Sequence, residues 1–243
     1  MIRTIALRTA AAAALACAAV GAQAATVKLN NYTYGNGNTV NVTAPTYSGG
    51  AGGFSGTISG FGAAFDGAVQ TYCVDLGEFF SFGTTYTSYS LVSAASHFTA
   101  AKVTALGKLM TYVFDTNLFG TTAAGSKDDL STALQLAIWN IVYDTDTTLS
   151  GGTFKEGSTA YRNSTASFMG ANALLANSQV AGQAIGYDLY VLKSVGSPGQ
   201  QDQLIWKSAG GPSTSVPEPT GLALVALALG AAGLAARRRK STV

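Results

Sequence analysis

Apolar residues lie on nearly every side of the segment from Asp129 to Asp144 when it is wound as a helix. At 3.6 residues per turn, leucine, alanine and isoleucine line one side, and leucine, tryptophan and tyrosine line another. A helix at the surface would keep a polar face, so this pattern predicts a helix in the middle of the core. Ser126 is its predicted N-cap. The polar exception is Gln135, whose buried amide must find hydrogen-bond partners.

Short alternating segments punctuated by glycine predict strands before this helix. Thr39–Val42 and Gly56–Gly60 are two such segments within a region rich in Gly, Asn, Thr, Tyr and Ser. The β-rich run 69–76 contains Cys73, and the stretch 84–92 alternates well enough for another strand. The first part of the chain is therefore predicted to be β-rich.

Two further helices and a hairpin complete the predicted elements. Ser96 is the expected cap of an amphipathic helix that runs to about Asn117, and residues 164 to about 178 predict a third helix. The runs 187–192 and 203–206 predict a closing hairpin. The predicted fold class is α+β: a β-rich N-terminal part, two or three central helices and a C-terminal β-hairpin, plus a C-terminal transmembrane helix.

The N-terminal end has the composition of a targeting segment. Residues 1–24 begin with two arginines, continue through an apolar run and end in Ala22-Gln23-Ala24. This order is typical of a secretory signal peptide with a small-x-small cleavage site, so we expect the mature chain to start near Ala25. A lipoprotein site at Cys17 is the alternative, but an alanine stands where such sites usually carry leucine.

The C-terminal end combines a short motif, an apolar span and a basic cluster: Val216-Pro217-Glu218-Pro219, residues 220–236 and Arg237-Arg238-Arg239-Lys240. Seventeen helical residues at about 1.5 Å each reach about 26 Å, just enough for a bilayer core, and the basic cluster is expected to stay in the cytoplasm. The order closely resembles the PEP-CTERM sorting signal of Gram-negative bacteria, which an exosortase in the membrane processes during export. An ordinary single-pass anchor is the alternative, and it leaves the Val-Pro-Glu-Pro motif unexplained.

These segments define the predicted domains and change the meaning of the charge. The predicted domains are a signal peptide at 1–24, an exported domain at 25–207, a Gly, Ser and Pro-rich linker at 208–215 and a sorting signal at 216–240. Together they cover all but the last three of the 243 residues. Between residues 25 and 210 there are eight basic and eleven acidic residues. This mildly acidic balance, without a basic patch, argues against nucleic-acid binding.

Few side chains of this domain offer chemistry. After removal of the signal peptide, Cys73 is the single cysteine of an exported chain, so it is a buried small hydrophobe, an intermolecular bridge or a reactive sulfur. Histidine and cysteine are not clustered, and Asp144 and Asp146 lack the spacing of a calcium loop, so we expect no metal and no cofactor. We interpret those carboxylates as caps and loop residues, and His97 as structural.

Three short motifs follow one another along the domain. They are Tyr72-Cys73-Val74, the helical segment Leu134-Gln135-Leu136-Ala137-Ile138-Trp139, and Gln201-Asp202-Gln203-Leu204-Ile205. Together they resemble the thioester domains of bacterial surface adhesins and the thioester-type domains of some PEP-CTERM proteins. The central motif begins with leucine where those adhesins commonly have threonine.

The resemblance implies a specific chemistry for these residues. In that family a cysteine condenses with a glutamine and releases ammonia, which makes Cys73 the sulfur donor and Gln201 the first choice of acyl donor. Gln135 corresponds to the family's helix glutamine, and Gln200 and Gln203, which crowd around Gln201, are alternative acyl donors. We expect Tyr72, Trp139 and neighbouring phenylalanines to shield the bond from water while leaving a narrow approach for an amine.

The expected function is therefore an exported, exosortase-processed surface protein, an adhesin that captures amine-bearing ligands once per molecule and is not an enzyme. Its expected partners are the exosortase and secretion machinery, the membrane before processing, and a protein or other amine-bearing ligand. It would pass through the inner membrane to the cell surface or extracellular matrix. The alternative is a structural component of an extracellular matrix or biofilm in which Cys73 is inert or bridges two chains. A hydrolase is less favoured, because no triad or metal set is present in the sequence.

Overall fold

The computed structural model describes residues 24–157, 160–196 and 199–210. The chain divides into two compact units, 1–209 and 210–243, and of the second unit only Gly210 is described. The described part mixes strands with a few helices and is β-rich at its N-terminal end, which confirms the coarse fold class predicted above. The predicted signal peptide and sorting signal lie outside the described residues, except for Ala24.

Within the described residues, ten strands form two antiparallel sheets. The larger sheet has the order β6-β1-β4-β5-β10-β9-β7, and the smaller has the order β3-β2-β8. In chain order the strands are β1 (Thr26–Tyr32), β2 (Asn38–Ala44), β3 (Thr46–Ala51), β4 (Phe54–Ser59), β5 (Gly67–Cys73), β6 (Thr85–Tyr86), β7 (Tyr89–Ser93), β8 (Lys155–Glu156), β9 (Tyr187–Ser194) and β10 (Gln203–Ser208).

The helices differ from the prediction mainly at their starts. They are α1 (Ala94–His97), α2 (Ala100–Asp115), α3 (Leu118–Thr121), α4 (Lys127–Tyr143) and α5 (Ala171–Ser178), with a 3₁₀ turn at Ala124–Ser126.

The helix predicted from Ser96 to Asn117 is wrong at its N-terminal end. Phe98 and Thr99 are extended, so α1 is a separate turn and α2 begins only at Ala100. The predicted third helix likewise starts late, since Gly170 is extended and α5 begins at Ala171. Helical patterns in sequence do not locate such breaks, because an extended residue can carry any side chain that also fits a helix.

Helix α4 is the centre of the core, as predicted. Every residue from Leu130 to Ile141 is buried, and the helix contacts α2, α5, β2, β3 and β5. Its buried hydroxyls are paired: Ser131 Oγ accepts the Gly53 N–H at 2.8 Å, and Thr132 Oγ1 donates to the Ala51 carbonyl at 3.0 Å. Ser126 stands at the predicted N-cap position, but its side chain makes no capping hydrogen bond.

Strands β9 and β10 form the predicted hairpin, and its place in the sheet creates the candidate site. One edge of β10 pairs with β9, and the other edge pairs with β5. In this register Gln203 lies opposite Cys73, and the N–H of Val74 continues the ladder by donating to the carbonyl of Asp202 at 3.0 Å. The late glutamines are thereby brought beside the cysteine strand.

Asp144 organises the loop that follows α4. Its carboxylate accepts backbone N–H groups from Thr145 (2.7 Å), Asp146 (3.5 Å), Thr153 (2.5 Å) and Phe154 (2.8 Å). Burial alone would raise the pKa of Asp144, but these donors stabilise the carboxylate and bring its pKa below the ordinary value. This geometry agrees with the interpretation of Asp144 as a loop residue.

Within the described ranges, no helix combines the length and the apolar character that crossing a bilayer requires. The predicted span at 220–236 lies outside these ranges.

Candidate functional site

The thiol of Cys73 and the amide of Gln201 meet at one backbone oxygen. Cys73 is the last residue of β5 and is fully buried, and its Sγ donates to the carbonyl oxygen of Asp75 at 2.5 Å. Gln201 lies two residues before β10, and its Nε2 donates to the same oxygen at 3.2 Å. The sulfur and the amide predicted to react are therefore neighbours in the folded chain.

Gln135 holds the backbone of Cys73 rather than its sulfur. Its Oε1 accepts the Cys73 N–H at 3.0 Å, and its Nε2 donates to the Cys73 carbonyl at 2.8 Å. Strand β4 begins with Phe54 opposite Thr71, so it has no residue to pair with Cys73. The side-chain amide of Gln135 therefore takes the place of a pairing strand residue at Cys73. The prediction that this buried amide finds hydrogen-bond partners is confirmed.

Gln203 completes a chain of side-chain hydrogen bonds next to Gln201. Its Oε1 accepts the hydroxyl of Thr71 at 2.9 Å. Its Nε2 lies 3.2 Å from the carbonyl oxygen of Gln201 and 3.4 Å from the Oε1 of the same residue. Gln203 is fully buried, so this arrangement fixes the orientation of both amides.

Asp75 connects the chain segment that contains Cys73 to the segment that contains Gln201, a role that the sequence analysis missed. Its carboxylate accepts the N–H of Glu78 at 3.0 Å and the N–H of Asp202 at 2.5 Å. Burial raises the pKa of Asp75 to about 6, although these N–H groups act in the opposite direction. Asp75 thus joins the Cys73 segment to the Gln201 segment through its carbonyl and its carboxylate.

Two tyrosines also support the site, and no sequence motif pointed to either. The hydroxyl of Tyr89 on β7 donates to the carbonyl of Gln201 at 2.8 Å. The hydroxyl of Tyr143 on α4 accepts the N–H of Leu76 at 2.9 Å. Both contacts join residues more than 60 positions apart, so only the folded topology reveals them.

An aromatic pocket of about 120 Å³ lies beside Gln201. Its walls include Tyr47, Trp139 and three phenylalanines, Phe79, Phe80 and Phe82. Phe79 is 66% exposed, whereas Trp139 is buried and meets the Tyr47 ring edge-on at 5.3 Å. The predicted aromatic surroundings are present, and they include Tyr47, which the sequence analysis did not single out.

Tyr72 does not line this pocket. Its hydroxyl lies 3.3 Å from Ser131 Oγ, and its ring centroid is 5.9 Å from that of Trp206. Adjacent residues of a strand point to opposite faces, which explains why the neighbour of Cys73 packs elsewhere. Its predicted shielding role is therefore not visible in the geometry.

The surroundings of the Cys73 thiol disfavour its charged thiolate form. Burial raises its pKa well above the ordinary value, and the nearby Asp75 carboxylate raises it further. The indole of Trp139 acts in the opposite direction, since its N–H lies near the sulfur. That N–H makes no hydrogen bond of regular geometry, although it is buried. Cys73 is therefore a neutral thiol at neutral pH.

Three carboxylates form the group that could hold a metal ion among the described residues. They belong to Asp75, Glu78 and Asp202, and their oxygens lie within 4.8 Å of one another. Both oxygens of Asp75 already accept backbone N–H groups, and Asp202 accepts the N–H of Ser194 at 2.6 Å. His97 Nε2 is 3.7 Å from Asp202 Oδ2. These hydrogen bonds connect separate segments of the chain, so the carboxylates have a structural role like the one expected for His97.

The geometry of Gln135 leads to a stability prediction. Gln135→Ala should lower the free energy of unfolding by about 1–3 kcal/mol, because it leaves the N–H and the carbonyl of Cys73 buried without partners. Urea unfolding in a Cys73→Ala background measures this loss without any contribution from a crosslink. Gln70→Ala is the matched control, since Gln70 is exposed on the same strand. Equal stabilities of the two variants would contradict the prediction.

The C-terminal end of the chain matches the PEP-CTERM protein-sorting motif over residues 215–240. This match confirms the predicted sorting signal and marks an exosortase-processed protein exported to the cell surface through processing at the membrane. Comparison of the chain with curated proteins and with solved structures gives no significant match.

The sorting motif leads to a second prediction. Replacing Pro217-Glu218-Pro219 by three alanines should leave the protein in the inner membrane with the cluster from Arg237 to Lys240 attached, because the apolar span and the charges suffice for anchoring but not for recognition. Membrane fractionation and the mass of the C-terminal peptide measure the result. Three alanines in the linker at Pro212-Ser213-Thr214, outside the matched residues, provide the control. Normal release of the motif variant would contradict the prediction.

Proposed function

We propose that the exported domain is an adhesin that captures amine-bearing ligands through an internal thioester between Cys73 and Gln201. The observation that carries this proposal is the shared hydrogen-bond acceptor: the Cys73 thiol and the Gln201 amide nitrogen both donate to the carbonyl oxygen of Asp75. Two reactive groups held by one acceptor atom are close together before they react, and such proximity lowers the entropic cost of an intramolecular reaction.

The reaction needs no external reagent. Cys73 Sγ attacks the Gln201 side-chain carbon, the S–C bond forms, and the C–N bond breaks. The thiol proton leaves with the amide nitrogen as ammonia. An incoming primary amine then attacks the same carbon, the S–C bond breaks, and the amine's proton restores the thiol. The product is an amide between Gln201 and the ligand, so each molecule captures one ligand and does not turn over.

The surroundings of the two side chains suit such a bond. Cys73 is fully buried and Gln201 is 5% exposed, which limits access of water to the acyl carbon. The aromatic pocket beside Gln201 offers one route by which an amine can approach, and its rim carries the exposed Phe79.

The mass of the mature exported protein tests the proposal. A thioester lowers the intact mass by one ammonia, and incubation with methylamine should raise it by one methylamine while freeing one thiol. Full mass together with no uptake of methylamine would contradict the proposal and favour the alternative, a structural matrix component with an inert Cys73.

A further inference from the structure

We propose that Gln203 is a catalytic residue of this intramolecular chemistry: its side-chain N–H stabilises the negative charge that develops on Gln201 Oε1. This inference rests on the proposed Cys73–Gln201 thioester. Its basis is the position of Gln203 Nε2, which lies 3.4 Å from Gln201 Oε1 in a fully buried environment. A donor aimed at the acyl oxygen is what an acyl-transfer site requires.

The sheet fixes which end of the Gln203 amide faces Gln201. Gln203 lies opposite Cys73, and Thr71 precedes Cys73 by two residues, so the three side chains share one face of the sheet. The buried hydroxyl of Thr71 donates to Gln203 Oε1 at 2.9 Å, which directs the amide nitrogen toward Gln201. Thr71 is therefore a positioning residue for the donor.

The donor acts in both directions of the chemistry. Attack on the Gln201 carbon, by sulfur during formation or by an amine during capture, converts the carbonyl into a tetrahedral centre whose oxygen carries negative charge. At 3.4 Å the hydrogen bond is long before reaction, and such bonds shorten as charge develops. Removing one donor of this kind slows acyl transfer by about 10²–10³-fold.

This role differs from that of acyl donor, for which Gln203 was an alternative. An acyl donor is consumed, so its loss removes the ammonia-loss product at any time. An oxyanion donor is not consumed, so its loss slows formation without changing the final product. The time course therefore separates the two roles, and the final mass alone does not.

The test follows Gln203→Met in the mature exported protein, since methionine has a similar volume and no N–H. We expect the second-order rate constant for methylamine to fall about 10²-fold, while the intact mass still reaches the ammonia-loss value after long incubation. An unchanged rate constant overturns the inference. A folded variant that never loses ammonia also overturns it, because Gln203 would then be the acyl donor.

Two variants of Thr71 keep the inference testable if Gln203→Met does not fold. Thr71→Val removes the hydroxyl at nearly constant shape and should slow the reaction with methylamine, whereas Thr71→Ser retains the hydroxyl and should restore the rate. Equal rates for Val and Ser overturn the inference. Wild-type protein separates the two proposals: if it shows full mass and no methylamine uptake, the thioester itself is absent, whereas a reactive wild type with unaffected variants refutes only the role of Gln203.

Discussion

Cys73→Ala is expected to abolish all reaction with methylamine and to restore the full mass of the exported protein, while the domain stays folded. The thioester depends on one sulfur atom, whereas folding rests on α4 and the core around it. Loss of that atom from a buried site should reduce stability by no more than the roughly 0.5–3 kcal/mol typical of point substitutions. Intact mass, methylamine uptake and thermal unfolding measure the three parts of this expectation.

Thiol titration in denaturant provides an internal control, because Cys73 is the single cysteine between residues 25 and 243. Wild-type protein denatured and titrated at once should show no free thiol, and protein treated first with methylamine should show one. Cys73→Ala should show none in either state. A full equivalent of free thiol in untreated wild-type protein would mean that no thioester had formed.

Local patterns account for the elements that could be predicted. The all-round apolar pattern identified α4, because a helix without a polar face must be buried. Alternation identified segments of β2 and β4, but it predicted one strand over 84–92, where the structure has β6 and β7. The β-rich run 69–76 and the runs 187–192 and 203–206 identified β5, β9 and β10. The N-terminal ends of α2 and α5 were predicted less well. Their true starts depend on the extended backbone at Thr99 and Gly170, which tertiary packing decides.

The sheet order could not be obtained in the same way. Insertion of β10 between β5 and β9 joins segments about 130 residues apart in the chain. Sequence order identified β9 and β10 as a hairpin, but nothing local specifies which strand meets the free edge of β10. That single pairing places Gln203 opposite Cys73 and makes the candidate site.

The candidate site shows the same division between local and non-local information. Cys73, Gln135 and Gln201 were identified through short motifs, and the fold brings the three together. Asp75 and Tyr89 were missed because their contribution is a contact with a distant segment, not a motif. A lone acid or tyrosine in sequence carries no sign of such a contact.

Gln201→Ala is expected to eliminate the ammonia-loss mass and all methylamine uptake, since no other amide shares the Asp75 carbonyl with the thiol among the described residues. The loss of stability should be smaller than for Gln135→Ala. The two side-chain hydrogen bonds of Gln201, at 3.2 and 3.4 Å, are longer than those of Gln135, at 3.0 and 2.8 Å, so their removal should cost less.

Gln200→Ala is the matched control, because it removes the same side chain one position earlier and should leave both mass changes intact. Peptide mapping of the wild-type crosslink then identifies the acyl donor directly. A Cys73–Gln201 bond is expected. A bond from Cys73 to Gln203 or to Gln135 would contradict the assignment. To react, the Gln135 amide would have to break both of its hydrogen bonds to the Cys73 backbone. Because Gln135 and Cys73 are fully buried, that cost is the physical reason for expecting Gln201.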